Sequence, residues 1–299
     1  MNRRKILLTK KWNDIKNFYL FIGPWLVGFL VLTLYPIIRS FLLCFTDSDF
    51  SGAGNFIGLE NFIRAFTQDE MFWKVFFNTI EYVALFVPAS LVLAFIIAWL
   101  LSQKIRGRGF FRTVFYIPYI TAGVAVTMMW GWIFNSDYGL INYVLSLFGL
   151  EGPRWLADKN IAMVSIVIMC LWSIGNSILI MLAGIQDIPE SYYENARLDG
   201  ASKLRQIFSI TIPLCTPTIF FNLVIGIILS FQIFNQPYIL TKGGPVDSTR
   251  TVAMYLFSNA FEYGKMGYAA TIAWCLFVII MIATLIIQGT SRRWVFYDN

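Results

Sequence analysis

Residues 82–101 read YVALFVPASLVLAFIIAWLL, twenty positions without a single Asp, Glu, Lys or Arg. An α-helix rises about 1.5 Å per residue, so a run of this length crosses the roughly 30 Å of hydrocarbon in a bilayer. Pro88 inside it is tolerable in a membrane helix whose neighbours satisfy the freed carbonyl. Outward along the chain, five further charge-free windows cover residues 19–38, 113–135, 160–186, 206–241 and 266–291. Each is long enough for one crossing, which predicts an all-α integral membrane protein with six transmembrane helices. Their expected limits are about 19–43, 79–101, 113–134, 161–185, 213–234 and 266–289. These spans belong to a single transmembrane domain, residues 19–291, flanked by an N-terminal segment, 1–18, and a tail, 292–299. The short alternating strands of a membrane β-barrel are absent from the pattern.

Composition agrees. Hydrophobic residues make up 58% of the 299 and charged residues 13%, about half the charged share of a soluble domain. With both termini on the cytoplasmic side, fifteen Lys and Arg fall inside, in residues 3–16, 104–112, 197–205 and 292–293. Seven fall outside, and Arg39 lies at the outer end of the first helix. This bias is the positive-inside pattern. The net charge of +6 therefore reads as topology and a membrane-surface role, with no nucleic-acid partner. The basic start is followed by about twenty apolar residues without a small-residue cleavage site, so it reads as a retained first helix. Cys44, Cys170, Cys215 and Cys275 are far apart, and the chain has no His. That leaves no metal spacing, and the thiols read as small buried apolar groups.

Between the spans, residues 59–66 suggest a short external helix and residues 136–159 a second external loop, with Trp130, Trp132 and Phe134 read as an interfacial aromatic belt. The fifth window is too long for one crossing, and its prolines, Pro213, Pro217 and Pro237, divide it into an approach helix, a span and an exit ending at Gly243-Gly244-Pro245.

The loop at 187–212 reads DIPESYYENARLDGASKLRQIFSITI. It predicts two short helices joined by Gly200, with Asp187 capping the first, Pro189 at an early helical position, and Ser202 capping the second. A generic amphipathic loop would explain its charges but not its spacing. Glu194-x-Ala196-x-x-Asp199-Gly200-Ala201, then eight residues to Ile210-x-Ile212-Pro213, resembles the EAA motif of bacterial ATP-binding-cassette (ABC) importer permeases. Asn195 and Ile212 depart from the usual Ala and Leu. The exit Thr241-Lys242-Gly243-Gly244-Pro245, the segment Tyr138-Gly139-Leu140-Ile141-Asn142 and the six spans are similar to the maltose-type carbohydrate permease family, over nearly the whole chain.

The resemblance implies a type I ABC importer permease bundle in the bacterial cytoplasmic (inner) membrane, with the loop as its EAA coupling helix. Tyr193, Glu194, Ala196, Asp199, Gly200 and Ala201 would form the element that docks on an ATPase. The implied partners are a second permease subunit, two ATPase subunits and an external solute-binding protein. ATP and Mg would be bound by the ATPase subunits and no cofactor by this chain, which has no GxxxxGK[ST] phosphate loop.

The central parts of the spans carry no acidic or basic residue, which argues for an uncharged solute and against proton coupling. Sugars fit, since amides hold hydroxyls and aromatic rings stack on their apolar faces. In the fourth span Trp172, Ser173, Asn176 and Ile180 recur at helical spacing on one face. In the fifth, Asn222, Gly226, Ser230 and Ile233 line another. By the resemblance, Trp172, Ser173, Asn176, Ser230 and Ile233 fall where the family contacts its sugar. Helix packing is the competing explanation, because small and polar residues also let membrane helices approach. An ABC permease for another small neutral solute, such as a polyol or a glycerol phosphodiester, is the alternative within the same class. A secondary carrier lacks intramembrane charges here, and a membrane enzyme lacks paired carboxylates, His or a metal cluster.

Overall fold

The computed structural model describes residues 3–52, 54–103, 106–121 and 123–296. Lys104, counted among the inward-facing charges, lies outside them, as do residues 1–2 and 297–299 and the side chains of Arg3, Arg4, Lys5, Lys10 and Lys11. Apart from an isolated bridge between Thr46 and Phe56, the regular structure is helical.

The elements in order are α1 (Arg3–Gly28), α2 (Tyr35–Leu43), α3 (Glu60–Thr67), α4 (Glu70–Ser102), α5 (Arg108–Ile120), α6 (Gly123–Ile133), α7 (Leu140–Leu147) and α8 (Ala162–Trp172). They continue with α9 (Gly175–Gln186), α10 (Glu190–Leu198), α11 (Lys203–Gln206), α12 (Ile212–Leu214), α13 (Thr216–Phe231), α14 (Asn235–Leu240), α15 (Val252–Phe257) and α16 (Met266–Ser291). Short π-helical turns at Phe29–Leu34 and Ile207–Thr211 join neighbouring helices, and a third, Ser258–Glu262, extends α15.

By length and composition, Lys16–Leu43, Glu70–Ser102, Thr216–Leu240 and Met266–Ser291 can each cross a membrane. Two pairs pass the same test only together. α5 and α6 meet at 97°, and α8 and α9 at 53°. Six crossings result if each bent pair is one span, and the six charge-free windows fall on these stretches. The expected continuous fourth helix is thus broken. Ser173 and Ile174 leave the helical region at its middle. A Cβ on Gly175 would stand 2.5 Å from the Phe115 carbonyl oxygen and 3.0 Å from Tyr116 Cα. Glycine there lets the backbones of α9 and α5 touch.

The chain divides into two compact units, residues 1–65 with 259–274, and residues 66–258 with 275–299. In the first, the Asn61 amide donates to the carbonyls of Cys44 (3.0 Å) and Thr46 (2.8 Å), and the Arg64 guanidinium lies 4.6 Å from the centre of the Tyr268 ring.

In the second unit, α4 is the central post. Ala94 and Ala98, one turn apart and fully buried, allow α9 to pack closely through Ile178, Met181, Leu182 and Ile185. A second apolar cluster joins Tyr82 of α4 to Phe134, to Met163, Ile166 and Val167 of α8, and to Ile233. Phe134 is 1% exposed and Trp130 packs against the same cluster, so these two are core residues. Only Trp132, 53% exposed, faces outward as a belt residue would. All four cysteines are buried and free. Residues 294–296 fold back on α13, where the Phe296 N–H donates to Thr216 Oγ1 (2.8 Å) and Trp294 packs edge-on against Phe220.

Candidate functional site

Both candidate sites lie in the second unit. The loop between α9 and α13 folds as the two short helices expected. Asp187 does not cap the first; it closes α9, and Pro189 stands at the cap of α10 because its fixed φ starts the turn at Glu190. Where α10 ends, the Ala201 N–H returns to the Ala196 carbonyl (2.8 Å) and the Gly200 N–H to the Arg197 carbonyl (3.1 Å), with Gly200 at φ 76°. This pair of bonds is a Schellman cap, which glycine accommodates without a Cβ penalty. Ser202 Oγ accepts from the Arg205 N–H and starts α11.

The six residues expected at this element divide by exposure. Glu194, Asp199 and Gly200 are exposed, and Tyr193, Ala196 and Ala201 are half-buried. Tyr193 faces inward, where its hydroxyl lies 3.0 Å from Thr211 Oγ1 in the π-helical turn, and its ring packs on the cluster built by α4 and α9. Burial raises its pKa above the ordinary phenol value, with the Thr211 hydroxyl opposing. Sequence reasoning passed over Leu198, which is 87% exposed. The available signal was its position two residues beyond Ala196, which turns it away from the buried face of α10. The Glu190–Arg197 ion pair, 3.9 Å and exposed, adds little to stability.

A cavity of about 440 Å³ lies between α4, α5, α6, α8, α9, α13 and α14. Three breaks in helical structure open onto it. Thr121 and Gly123 flank the bend between α5 and α6, Ser173 and Asn176 the bend between α8 and α9, and Gln232 and Asn235 the junction of α13 with α14. Unwound backbone within a membrane protein is tolerated where it is buried in protein or lines a cavity. No lining residue is charged, and Tyr82, Phe86, Tyr119 and Phe221 supply aromatic rings. Of the expected contact residues, Ser173, Asn176, Ser230 and Ile233 come together on this cavity, with Ile180, Asn222 and Gly226. Trp172 does not line it. The break at Ser173 turns it out of the face shared by the others, and its indole packs edge-on against Trp130. Gln232, Asn235 and Gln236, which also line the cavity, were missed because they lie at the end of the fifth window, where spacing along a single helix does not apply.

The Ser230 hydroxyl is buried without a hydrogen-bond partner, and Ser230 itself is 3% exposed. An unpaired buried hydroxyl costs about 1–3 kcal/mol, and this one belongs to a residue that lines a cavity able to hold a small ligand. The Asn222 amide, by contrast, spends one donor on the Thr218 carbonyl of its own helix (3.0 Å).

Comparison with known proteins agrees with this architecture. The chain is 42% identical over 285 residues to the probable ABC transporter permease protein YesP of Bacillus subtilis, covering 94% of this chain and 92% of that protein. It is 31% identical to the trehalose/maltose transport system permease protein MalF of Thermococcus litoralis, covering 94% and 96%. It is 32% identical to the lactose transport system permease protein LacF of Rhizobium radiobacter, covering 92% and 93%. Its fold matches a chain of a bacterial ABC transporter involved in the import of the acidic polysaccharide alginate, with a TM-score of 0.84 at 23% identity over 95% of this chain and 99% of that one. Residues 72–295 match the family described as the binding-protein-dependent transport system inner membrane component, and the chain belongs to that family of ABC transporter permeases.

Proposed function

We propose that the chain is the permease subunit of an ABC importer that carries a neutral carbohydrate delivered by an external binding protein. The observation that carries this reading is the cavity, uncharged, aromatic and lined at three helix breaks by amides and hydroxyls. Hydroxyl-rich solutes without charge match that lining, since each sugar hydroxyl both donates and accepts. Relatives named for trehalose, maltose and lactose transport support the same class.

The partners follow from the loop. α10 ends in a rigid turn beside exposed Glu194, Leu198 and Asp199, which suits docking into a groove of an ATPase subunit. A second permease would complete the pathway and two ATPase subunits would bind and hydrolyse ATP with Mg. Both termini lie in the cytoplasm, which puts α10 on the ATPase side. ATP-driven closure of the ATPase pair would move α10, and the Tyr193–Thr211 contact carries that motion toward α13. The test is uptake by vesicles containing the assembled transporter and its binding protein. Neutral oligosaccharides are transported and uronic-acid oligosaccharides are not; preferential uptake of the acidic sugars contradicts the assignment.

A further inference from the structure

Two arginines at the start of α5 stand where the chain gives them nothing to offset their charge. Arg108 and Arg112 lie one turn apart on the same face of the helix, and both guanidinium groups converge on a single neutral oxygen. With its amide oxygen turned toward α5, Gln186 at the end of α9 accepts from Arg112 Nη2 (2.6 Å) and from Arg108 Nη2. Among the described residues no Asp or Glu forms an ion pair with either arginine. The Nε atom of each is shielded from solvent and has no partner in the protein. Like charges at this helical spacing repel. The positive end of the helix dipole opposes Arg108 as well, because α5 has no acidic residue in its first turn. An amide oxygen carries no net charge and offsets neither effect.

The complement of such a pair is an anion with several oxygens, since each guanidinium fork can grip a phosphate through two N–H bonds. The surroundings indicate its source. Phe111 and Phe115, one turn apart on the strip of α5 beside the arginines, are exposed, as are Phe110 and Val114. Apolar surface therefore runs from the charged pair along α5 into the span. Cations at the helix end with apolar surface beside them match a molecule that has phosphate at one end and hydrocarbon at the other. A soluble phosphate would use only the first. The headgroup must also be net negative, because choline or ethanolamine would bring a third cation to the pair. We propose that Arg108 and Arg112 hold the phosphate of an anionic phospholipid whose acyl chains lie along Phe111 and Phe115. The inference rests on the membrane placement of α5 and α6 in the importer reading above and not on the solute carried.

The experiment places the complete transporter in vesicles of phosphatidylcholine, with or without phosphatidylglycerol, and reads its melting temperature. Phosphatidylglycerol raises that temperature by roughly 3 °C in the wild type, as a ligand of the folded state does. The double variant Arg108→Gln with Arg112→Gln loses the rise. In phosphatidylcholine alone it melts level with the wild type or above it, because the repulsion is gone. The corresponding pair of Lys substitutions keeps the charge without the fork and retains part of the rise. Inorganic phosphate added to phosphatidylcholine vesicles leaves the wild type unchanged. The proposal is overturned if the wild type melts alike in both lipids, if the Gln variant loses the same stability in both, or if inorganic phosphate reproduces the rise. It is overturned too if the Gln variant sheds its ATPase subunits in phosphatidylcholine, which assigns the arginines to a carboxylate of that partner. ATP-driven uptake by the same vesicles tests the importer reading separately, since the lipid effect is read whether or not solute is carried.

Discussion

The Tyr193 hydroxyl and Thr211 Oγ1 lie 3.0 Å apart, joining the helix that displays Glu194 to the π-helical turn that leads into α13. Tyr193→Phe removes only the bond. A lost neutral hydrogen bond with a half-buried partner costs about 1 kcal/mol, so the variant assembles, and its uptake per ATP hydrolysed falls. The raised phenol pKa sets a sign as well. The folded state holds this proton more tightly than the unfolded chain, so the contribution is present below the ordinary phenol value of 10.0 and is lost as pH rises above it. Thermal unfolding measured across that range shows a larger alkaline loss in the wild type than in Tyr193→Phe.

Ser230→Ala removes a buried hydroxyl that has no hydrogen-bond partner in the protein. Folding therefore gains or stays level, because a buried desolvation cost disappears. Uptake moves the other way, with KM rising several-fold as a ligand contact is lost. Melting temperature and uptake kinetics measured on the same preparation check both halves, and a drop in stability with unchanged KM contradicts the assignment.

Gly175→Ala places a methyl against the Phe115 carbonyl and pushes α5 and α9 apart. Overpacking of this kind costs about 1–3 kcal/mol. The melting temperature of the purified complex falls, and Gly226→Ala, whose added methyl meets only Val87 Cγ1 at 3.8 Å, leaves it nearly unchanged.

Leu198 lies in the open on α10, so Leu198→Glu costs this chain little in folding. A carboxylate carried into a closed groove of the ATPase has a desolvation cost with no partner to offset it, and the charge weakens ATPase attachment by about tenfold or more. Co-purification of the ATPase with the permease reads this directly.

The long apolar helices were legible because charge exclusion over twenty residues has one dominant physical cause, as in residues 82–101. The loop helices were legible too, since Gly200 and Ser202 act within a few residues of their own position. What escaped the sequence depends on contacts across the fold. The break at Ser173 lies beside Gly175, where α9 meets the backbone of α5, and it is this break that separates Trp172 from Ser173. Phe134 and Trp130 resemble belt residues in composition, and only the packing of α8 shows them to be core. Asp187 was a chemically sound cap one helix too early. The inward turn of Tyr193 requires Thr211, eighteen residues away.

The loop between α9 and α13 gives the most direct test. Gly200 has φ 76° with open space where a Cβ would go, so Gly200→Val strains the turn by roughly 1–2 kcal/mol without a clash, and Glu194→Ala removes an exposed carboxylate. In vesicles holding the full transporter, uptake and ATP hydrolysis are measured together. Both variants insert and assemble, and both lower the number of solute molecules carried per ATP. Uptake at the wild-type ratio in both variants, or wild-type uptake driven by a proton gradient without ATP, contradicts the account.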